Sequence, residues 1–228
     1  MVADADDKEH PFWERPDTVE QFAGRAPDHR LIALLDAFRD PPKTRMLDLG
    51  CAGGRNTVVL AERGFDIFAI DTSAAMVERT RARLVPLLGA AEAKRRVRVG
   101  DMTDLRAFGD ATFHLVVALG VYHNARNREV WDHALRETER VLARGGRVLV
   151  SNFGPGSAPG GTLVQPVQGE PHVYEGFESG PLFLFEAGAL DSEMSAHGLH
   201  PVVPTETVVT TQGAGRRVTV NALYGKVG

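Results

Sequence analysis

The residues of this 228-residue chain that could do chemistry gather in one short stretch, Asp48-Leu49-Gly50-Cys51-Ala52-Gly53-Gly54, and Asp71 answers them further on. Gly50, Gly53 and Gly54 make a turn almost without side-chain bulk, where a ligand can approach the main chain more closely than a Cβ would allow. A turn that leaves a strand and opens a helix points free N–H groups and a positive dipole end at whatever binds there, so an anionic group is expected over Gly50 to Gly54. Asp71, at the end of the neighbouring strand, suits the two hydroxyls of a ribose. Anion on one side and ribose on the other describe a nucleoside-type ligand lying across two strands. The dinucleotide fingerprint requires G-x-G-x-x-G, and here Cys51 and Ala52 follow Gly50, so the glycine that admits a pyrophosphate is missing. Asp48 would also set negative charge beside a pyrophosphate. It makes sense beside a ligand that carries an ammonium and a sulfonium.

The elements that must position these residues read in order. Met46 to Leu49 is a short apolar strand, Asn56 begins a helix that Gly64 stops, and Phe65 to Ile70 is a second strand ending on Asp71. Thr72 or Ser73 caps a helix with Met76, Val77, Thr80 and Leu84 on one face, closed by Pro86 and Gly89. Val97 to Val99 is a third strand and Phe113 to Leu119 a fourth, apolar enough to be buried on both faces of a parallel sheet. A helix from Arg126 to Ala143 carries Val130, Trp131, Ala134, Leu135, Thr138, Val141 and Leu142 on one face; Gly145-Gly146 ends it before a fifth strand, Arg147 to Ser151. From Phe153 to Gly180 the Pro/Gly-rich composition makes regular structure unexpected, and a long loop of this kind, carried on to about Phe185, is often an active-site lid. Leu182 to Phe185 reads as a short strand within it and Glu186 to His197 as a helix. Two alternating runs, Pro201 to Thr211 and Arg217 to Tyr224, joined by Gln212-Gly213-Ala214-Gly215, read as a hairpin. Before the core, Asp28 caps a helix running to Phe38, ended by Pro41-Pro42, and Met1 to Glu9 is polar and expected to be disordered.

The stretch Asp48 to Gly54, with Asp71 at this remove, resembles the first motif of the class I S-adenosylmethionine-dependent methyltransferases, D/E-x-G-x-G-x-G in its looser form, and the element order is similar from about Met46 to Lys226. The resemblance implies an α/β fold, a doubly wound, mostly parallel seven-stranded sheet of the Rossmann-like methyltransferase type with a C-terminal antiparallel hairpin. Residues 1–45 would be a helical lid or cover segment and 46–228 the methyltransferase domain, with a lid insertion at about 153–185. It implies S-adenosylmethionine as cofactor, S-adenosylhomocysteine as product, and direct in-line transfer of the methyl group to a small-molecule nucleophile. Asp48, Gly50, Cys51, Ala52, Gly53 and Asn56 would surround the methionine part, with Arg25 reaching its carboxylate. Asp71, with Thr72 and Met76 beside it, would take the ribose. Asp101 and Met102 match the places that read the adenine, although Asp101 also suits a helix N-cap. Leu119 and Gly120 would line the floor, and His123 the pocket.

Tyr122 and His123 follow the fourth strand, where ligands gather in open α/β sheets, and are the best placed titratable groups for catalysis. Methyl transfer from a sulfonium is already favourable and positioning supplies much of the acceleration, so the pocket-lining role of His123 is placed ahead of a base. Trp13, His172, Tyr174 and Phe177 are the candidate substrate contacts, on two segments expected to close over the cofactor. Gly-Arg-Asn after the first motif, Arg-Gly-Phe-Asp before the second strand and Asn-Ala-Leu-Tyr near the end are similar to the branch that includes tellurite-resistance methyltransferases. The tail has few cationic residues beyond Arg216 and Arg217, so no oxyanion substrate is carried over. A nicotinamide-dependent oxidoreductase explains Asp71 equally well, but not Ala52 or the terminal hairpin. A non-catalytic protein that keeps the cofactor pocket is the third reading.

Composition sets the bounds. Hydrophobic residues at 43% and charged residues at 25% are ordinary for a soluble domain with a sizeable core. A net charge of -4 and a pI near 6.1 argue against a nucleic-acid surface, and Lys94-Arg95-Arg96 reads as a solvated loop. The lone Cys51 excludes an internal disulfide and suits a reducing cytoplasm; it reads as a small packed residue of the turn. The acidic start is unlike a targeting segment, no apolar run approaches a membrane span, and the scattered histidines show no metal spacing.

Overall fold

A computed structural model describes residues 11–227; the expectation for Met1 to Glu9 lies outside them. The chain divides into two compact units, the first ending at Asp101 and the second beginning at Met102.

The first unit is built on three parallel strands, β1 (Arg45–Leu49), β2 (Asp66–Asp71) and β3 (Val97–Val99), with β2 in the middle. Two helices precede them. α1 (Pro16–Ala23) starts with proline at its first position, where the missing N–H costs nothing, and buries Thr18, Val19 and Ala23. α2 (His29–Leu35) is capped by Asp28, whose carboxylate accepts from Arg30 N at 2.9 Å, and is shorter than its apolar run. α3 (Arg55–Glu62) follows β1, α4 (Ala74–Leu88) follows β2, and α5 (Ala90–Arg96) leads into β3. Met46, Leu47, Leu60, Ile67, Val77 and Leu84 are fully buried between these strands and helices.

Two readings of this unit are corrected. Pro86 does not close α4: the helix runs through it to Leu88 and stops at Gly89, whose φ is +80°. So near the end, a proline removes one hydrogen bond and the last turn still forms. Lys94-Arg95-Arg96 is not a loop but the last turn of α5, where Arg95 and Arg96 pair with Glu92 and Arg96 also with Asp66. Cations at a helix C-terminus complement its dipole.

The second unit has β4 (Phe113–Leu119), α6 (Arg128–Val141) and β5 (Leu142–Phe153), with β4 and β5 parallel. After β6 (Gln165–Pro166), β7 (Val173–Glu175), β8 (Leu182–Phe183) and α7 (Ala187–Ala196), the chain ends in β9 (Leu199–Pro201), β10 (Glu206–Gln212) and β11 (Gly215–Lys226). β11 runs antiparallel to β5, β10 and β9, so the hairpin at Gly213-Ala214 is as expected and β9 adds a short strand. The chain thus has a mixed, mostly parallel Rossmann-like sheet arrangement with flanking helices and C-terminal antiparallel strands. Trp131, Ala134, Leu135, Thr138 and Val141 form the buried stripe of α6.

Here too the sequence misleads twice. Gly145-Gly146 does not end the helix; β5 begins at Leu142 and the pair forms an irregularity between the Phe113↔Leu142 and Leu115↔Arg147 pairings. A Cβ on Gly146 would lie 2.8 Å from Ala143 O and 3.0 Å from Phe113 O, so the close backbone approach requires glycine. The Pro/Gly-rich segment is not irregular throughout: β6, β7 and β8 form a small antiparallel sheet over a cluster of Val164, Leu182 and Leu184.

Candidate functional site

In the first unit the glycine turn is tied down by its own main chain. Gly50 N and Cys51 N both donate to Ile70 O, at 2.8 and 3.0 Å, and Gly54 N donates to Cys51 O at 2.8 Å. Ala52 N donates to Asp71 Oδ2 at 2.9 Å. Four of the five amides of this turn, those of Gly50, Cys51, Ala52 and Gly54, are therefore used within the protein, which narrows what was expected to hold an anion. The reason offered for the glycines changes as well. A Cβ on Gly53 would meet Ala23 Cβ of α1 at 2.8 Å, and one on Gly54 would meet Thr80 Cγ2 of α4 at 2.9 Å. These two glycines let helices, not a ligand, pack on the turn. Ala52 itself has φ +43°, so the non-glycine position of the motif still takes a left-handed conformation.

Asp71 sits at the centre of this arrangement. Its Oδ2 takes Ala52 N, and its Oδ1 takes Ser73 N at 3.0 Å, which joins the turn to the start of α4. Burial raises its pKa, the backbone donors pull it down, and Glu14 nearby raises it further. Each ionised carboxylate oxygen accepts about two hydrogen bonds, so both retain capacity for a ribose hydroxyl. Asp48 lies deeper, at 2% exposure, and its Oδ2 accepts from Thr57 Oγ1 at 2.6 Å. Burial pushes its pKa up to about 6. It remains ionised at neutral pH as a fixed negative charge beneath the turn, suited to a cationic ligand. Cys51 is buried, its thiol is pushed up by burial and by the charges of Asp71 and Asp48, and it faces Thr80 Oγ1 at 3.4 Å; it is a packing residue.

The N-terminal segment is fixed to the same place. Ser73 Oγ donates to Trp13 O at 2.9 Å, and the Glu14 carboxylate accepts from Ala74 N at 2.9 Å and Ala75 N at 3.2 Å, the first amides of α4. Arg83 Nη1 bridges Ala23 O and Gly53 O, at 2.9 and 3.0 Å. Asn56 Oδ1 accepts from Asp28 N at 3.0 Å, so this cofactor candidate holds the start of α2. Arg25 lies with its guanidinium 3.9 Å over the Phe22 ring, and Trp13 packs edge-on to Phe22 at 5.1 Å. Met76 is buried at 1% exposure, with its N–H on the capping Ser73 Oγ; Thr72 is exposed. Asp101 is exposed, and no helix starts there, so its N-cap alternative falls. None of the Glu14, Ser73 or Arg83 contacts was read from the sequence. The signal available was a carboxylate and small polar residues flanking helix starts.

In the second unit Met102 is buried, and Leu119 and Gly120 are partly exposed at the end of β4. Gly120, at φ +87°, donates its N–H to Ser151 O at 2.7 Å and opens a 3-10 turn over Tyr122–Asn124. Tyr122 is fully buried, its hydroxyl 2.7 Å from Thr138 Oγ1, and burial drives its pKa far up. This geometry makes it a core residue rather than a reacting one, a correction to its catalytic candidacy. His123 Nδ1 accepts from Phe153 N at 3.1 Å, so the ring proton sits on Nε2. Burial, helped by the charge of Arg217, pushes its pKa down to about 3. A neutral imidazole whose basic nitrogen is already engaged does not serve as a base at neutral pH. The ring stacks on Phe153, which stacks on Phe177, with centroids 4.7 and 5.3 Å apart. His172, at φ +67°, instead packs on Phe185 at 4.3 Å, and Tyr174 lies with Phe153 and Phe177 against the small sheet's cluster. Among the described residues no group of three or more His, Cys, Asp or Glu is placed to hold a metal, and no helix is long and apolar enough to cross a membrane.

Residues 47–150 match the methyltransferase domain family. Protein-L-isoaspartate O-methyltransferase of Methylorubrum populi is 33% identical over 154 residues, 67% of this chain and 64% of the relative. Magnesium-protoporphyrin O-methyltransferase of Rhodobacter capsulatus is 40% identical over 115 residues, 49% of each chain. This chain therefore spans about half to two thirds of the length of these relatives. In structure it resembles a 1,6-didemethyltoxoflavin-N1-methyltransferase of Burkholderia thailandensis, solved with bound 1,6-didemethyltoxoflavin and S-adenosylhomocysteine. The TM-score is 0.59 at 21% identity, over 88% of this chain and 78% of that one. In its fold and in this domain match the chain is similar to the class I S-adenosylmethionine-dependent methyltransferases.

Proposed function

We propose that the protein binds S-adenosylmethionine and transfers its methyl group to a small-molecule nucleophile. The observation that carries this is the state of the glycine turn. With Gly50, Cys51, Ala52 and Gly54 amides spent inside the protein, the turn has little left for a pyrophosphate, while Asp71 keeps acceptor capacity for a ribose. The buried charge of Asp48 favours a ligand with ammonium and sulfonium groups over one with phosphates. When bound, the cofactor supplies an electrophilic methyl group on a positively charged sulfur. Asp71 would accept from the ribose hydroxyls, and Asp48 would stabilise the cationic portion through its field. The segment from Trp13 to Arg25, held on the start of α4 by Glu14 and Ser73, would exclude water from that end. In the second unit His123 would act by holding Phe153 in place rather than by taking a proton.

Calorimetry separates the readings. S-adenosylhomocysteine is expected to give a heat of binding and NAD none; the reverse result would sink the proposal. Asp71→Asn is expected to weaken S-adenosylhomocysteine roughly ten- to a hundredfold, as the loss of charge-assisted hydrogen bonds predicts. The asparagine carbonyl keeps one backbone acceptor, whereas Asp71→Ala would strand both Ala52 N–H and Ser73 N–H and destabilise the fold as well. An unchanged dissociation constant in folded Asp71→Asn would place the ribose elsewhere.

A further inference from the structure

We infer that the stacked rings of His123, Phe153 and Phe177 mark the seat of a planar aromatic acceptor with an acidic hydroxyl, that Phe177 stands in that seat, and that Arg217 is the cation beside it. The inference rests on the methyl-transfer reading and names its substrate class.

The ladder is nearly parallel, with planes 21° apart between His123 and Phe153 and 13° apart between Phe153 and Phe177. Offset-stacked rings at 4.5–7 Å are the arrangement a flat ligand adopts on aromatic side chains. The middle ring is rigid. Phe153 ends β5, pairs with Thr219 of β11, and donates its N–H to His123 Nδ1. The outer ring is not held in this way. Phe177 sits in a loop between Gly176 and Gly180, whose φ values of +115° and +101° suit glycine, and it is only partly buried. Of the two rings that cover Phe153, the loop ring is the one that can yield, because few backbone bonds fix it.

The cation narrows the ligand further. Arg217 lies with its guanidinium 5.0 Å from the Phe153 centroid, and its charge also bears on His123. A guanidinium held against the middle ring of an aromatic stack favours an anionic oxygen on a flat ring and gives little to a saturated alcohol. Arg217 thereby favours the ionised form of an aromatic hydroxyl, whose proton leaves to solvent. The phenolate oxygen then forms the O–CH3 bond as the S–CH3 bond breaks, and the electron pair stays on sulfur. His123 is a positioning residue in this scheme, because its Nδ1 is occupied and its proton stays on Nε2.

The test titrates the whole chain, saturated with S-adenosylhomocysteine, with 2-naphthol, 2-methoxynaphthalene and decahydro-2-naphthol. Ligand NMR reads affinity, and the naphtholate absorbance reads the ionisation of the bound ring. 2-Naphthol is expected to bind about tenfold more tightly than either comparator. Phe177→Ala is expected to tighten its binding, since the seat no longer has to be vacated. Arg217→Leu is expected to raise the pH at which bound naphthol ionises by about one unit, with partial rescue in Arg217→Lys. Comparators that bind as well as 2-naphthol, weaker binding to Phe177→Ala, or ionisation unmoved in Arg217→Leu would each overturn the inference. If S-adenosylhomocysteine binds but naphthol shows no preference, this inference fails and the methyl-transfer reading stands. If S-adenosylhomocysteine fails to bind, that reading fails and this inference with it.

Discussion

Two turns in this protein leave the carboxyl ends of parallel strands, one after β1 and one after β4, and they are held by opposite means. Each opens on a glycine in the left-handed region, Gly50 at φ +71° and Gly120 at φ +87°, with its N–H on a neighbouring strand carbonyl, Ile70 O or Ser151 O. From there they diverge. The first turn is fastened by main-chain amides and by one carboxylate that accepts from them, so its surroundings are set by glycines and by Asp71. The second is fastened by side chains that reach back into the protein: Asn124 Nδ2 to Gly120 O, Tyr122 to Thr138, and His123 to Phe153 N.

The contrast predicts where a single methyl group does most damage. Gly53 has φ +79°, and a Cβ there would meet Ala23 Cβ and Cα at 2.8 and 3.1 Å. Gly64, at φ +80°, has nothing within 4 Å of the same atom. Gly53→Ala is therefore expected to lose roughly 3 kcal/mol, the sum of left-handed strain and overpacking against α1, and Gly64→Ala only about 1 kcal/mol. Urea unfolding of the two variants reads the difference. Equal losses would mean that α1 does not rest on the turn.

At the second turn the corresponding experiment is chemical. His123→Leu strands Phe153 N–H and is expected to cost about 1–3 kcal/mol, while His123→Gln offers an amide oxygen and costs less. The pH dependence carries a sign. His123 is held below its ordinary value of 6.5, down to about 3, so its share of stability is complete above 6.5 and drains away as the pH falls toward 3. Asp48 runs the other way. Raised from 3.8 to about 6, it contributes stability that is complete below 3.8 and lost as the pH rises through 6. Urea midpoints on the acid side should thus flatten in His123→Gln and fall more steeply in Asp48→Asn. Parallel curves for the two variants would show that neither group is buried as the geometry has it.

How far the sequence could be read follows the same division. Strand β1, the turn, α3, β2 and Asp71 were legible because glycine spacing and apolar runs report backbone geometry directly, and the cap of α4 was narrowed to Thr72 or Ser73, of which the structure uses Ser73. The long apolar run of β4 and the buried stripe of α6 were equally plain. What stayed hidden depends on contacts between residues far apart in the chain. That His123 spends its Nδ1 on Phe153, thirty residues away, has no local signature, so a buried neutral ring looked like a candidate base. Gly145-Gly146 shows a helix stop by every local rule, yet its role is set by the Phe113 carbonyl beside it. Of the small sheet, β8 was read within Leu182 to Phe185, but β6 and β7 were missed because two- and three-residue strands leave no period to detect.

The smallest expected effect tests the first turn at the position that departs from the dinucleotide pattern. Ala52 sits at φ +43°, a conformation that strains a residue with a Cβ by about 1–2 kcal/mol. Replacing it with glycine relieves that strain but lets the unfolded chain gain freedom, an opposing effect of about 0.5–1 kcal/mol. Ala52→Gly is therefore expected to be nearly neutral or slightly stabilising in urea unfolding. It also supplies the second glycine of the fingerprint, the one that admits a pyrophosphate, while Arg55 still stands at the place of the third; on that second position alone it should invite a dinucleotide. The structure predicts otherwise. The amide of residue 52 is committed to Asp71, those of Gly50 and Cys51 to Ile70 O and that of Gly54 to Cys51 O, whatever side chain stands there. NAD should still give no heat of binding to the variant, and S-adenosylhomocysteine should bind as before. Acquired NAD binding would show that the methyl group of Ala52, rather than the spent amides, keeps the pyrophosphate out.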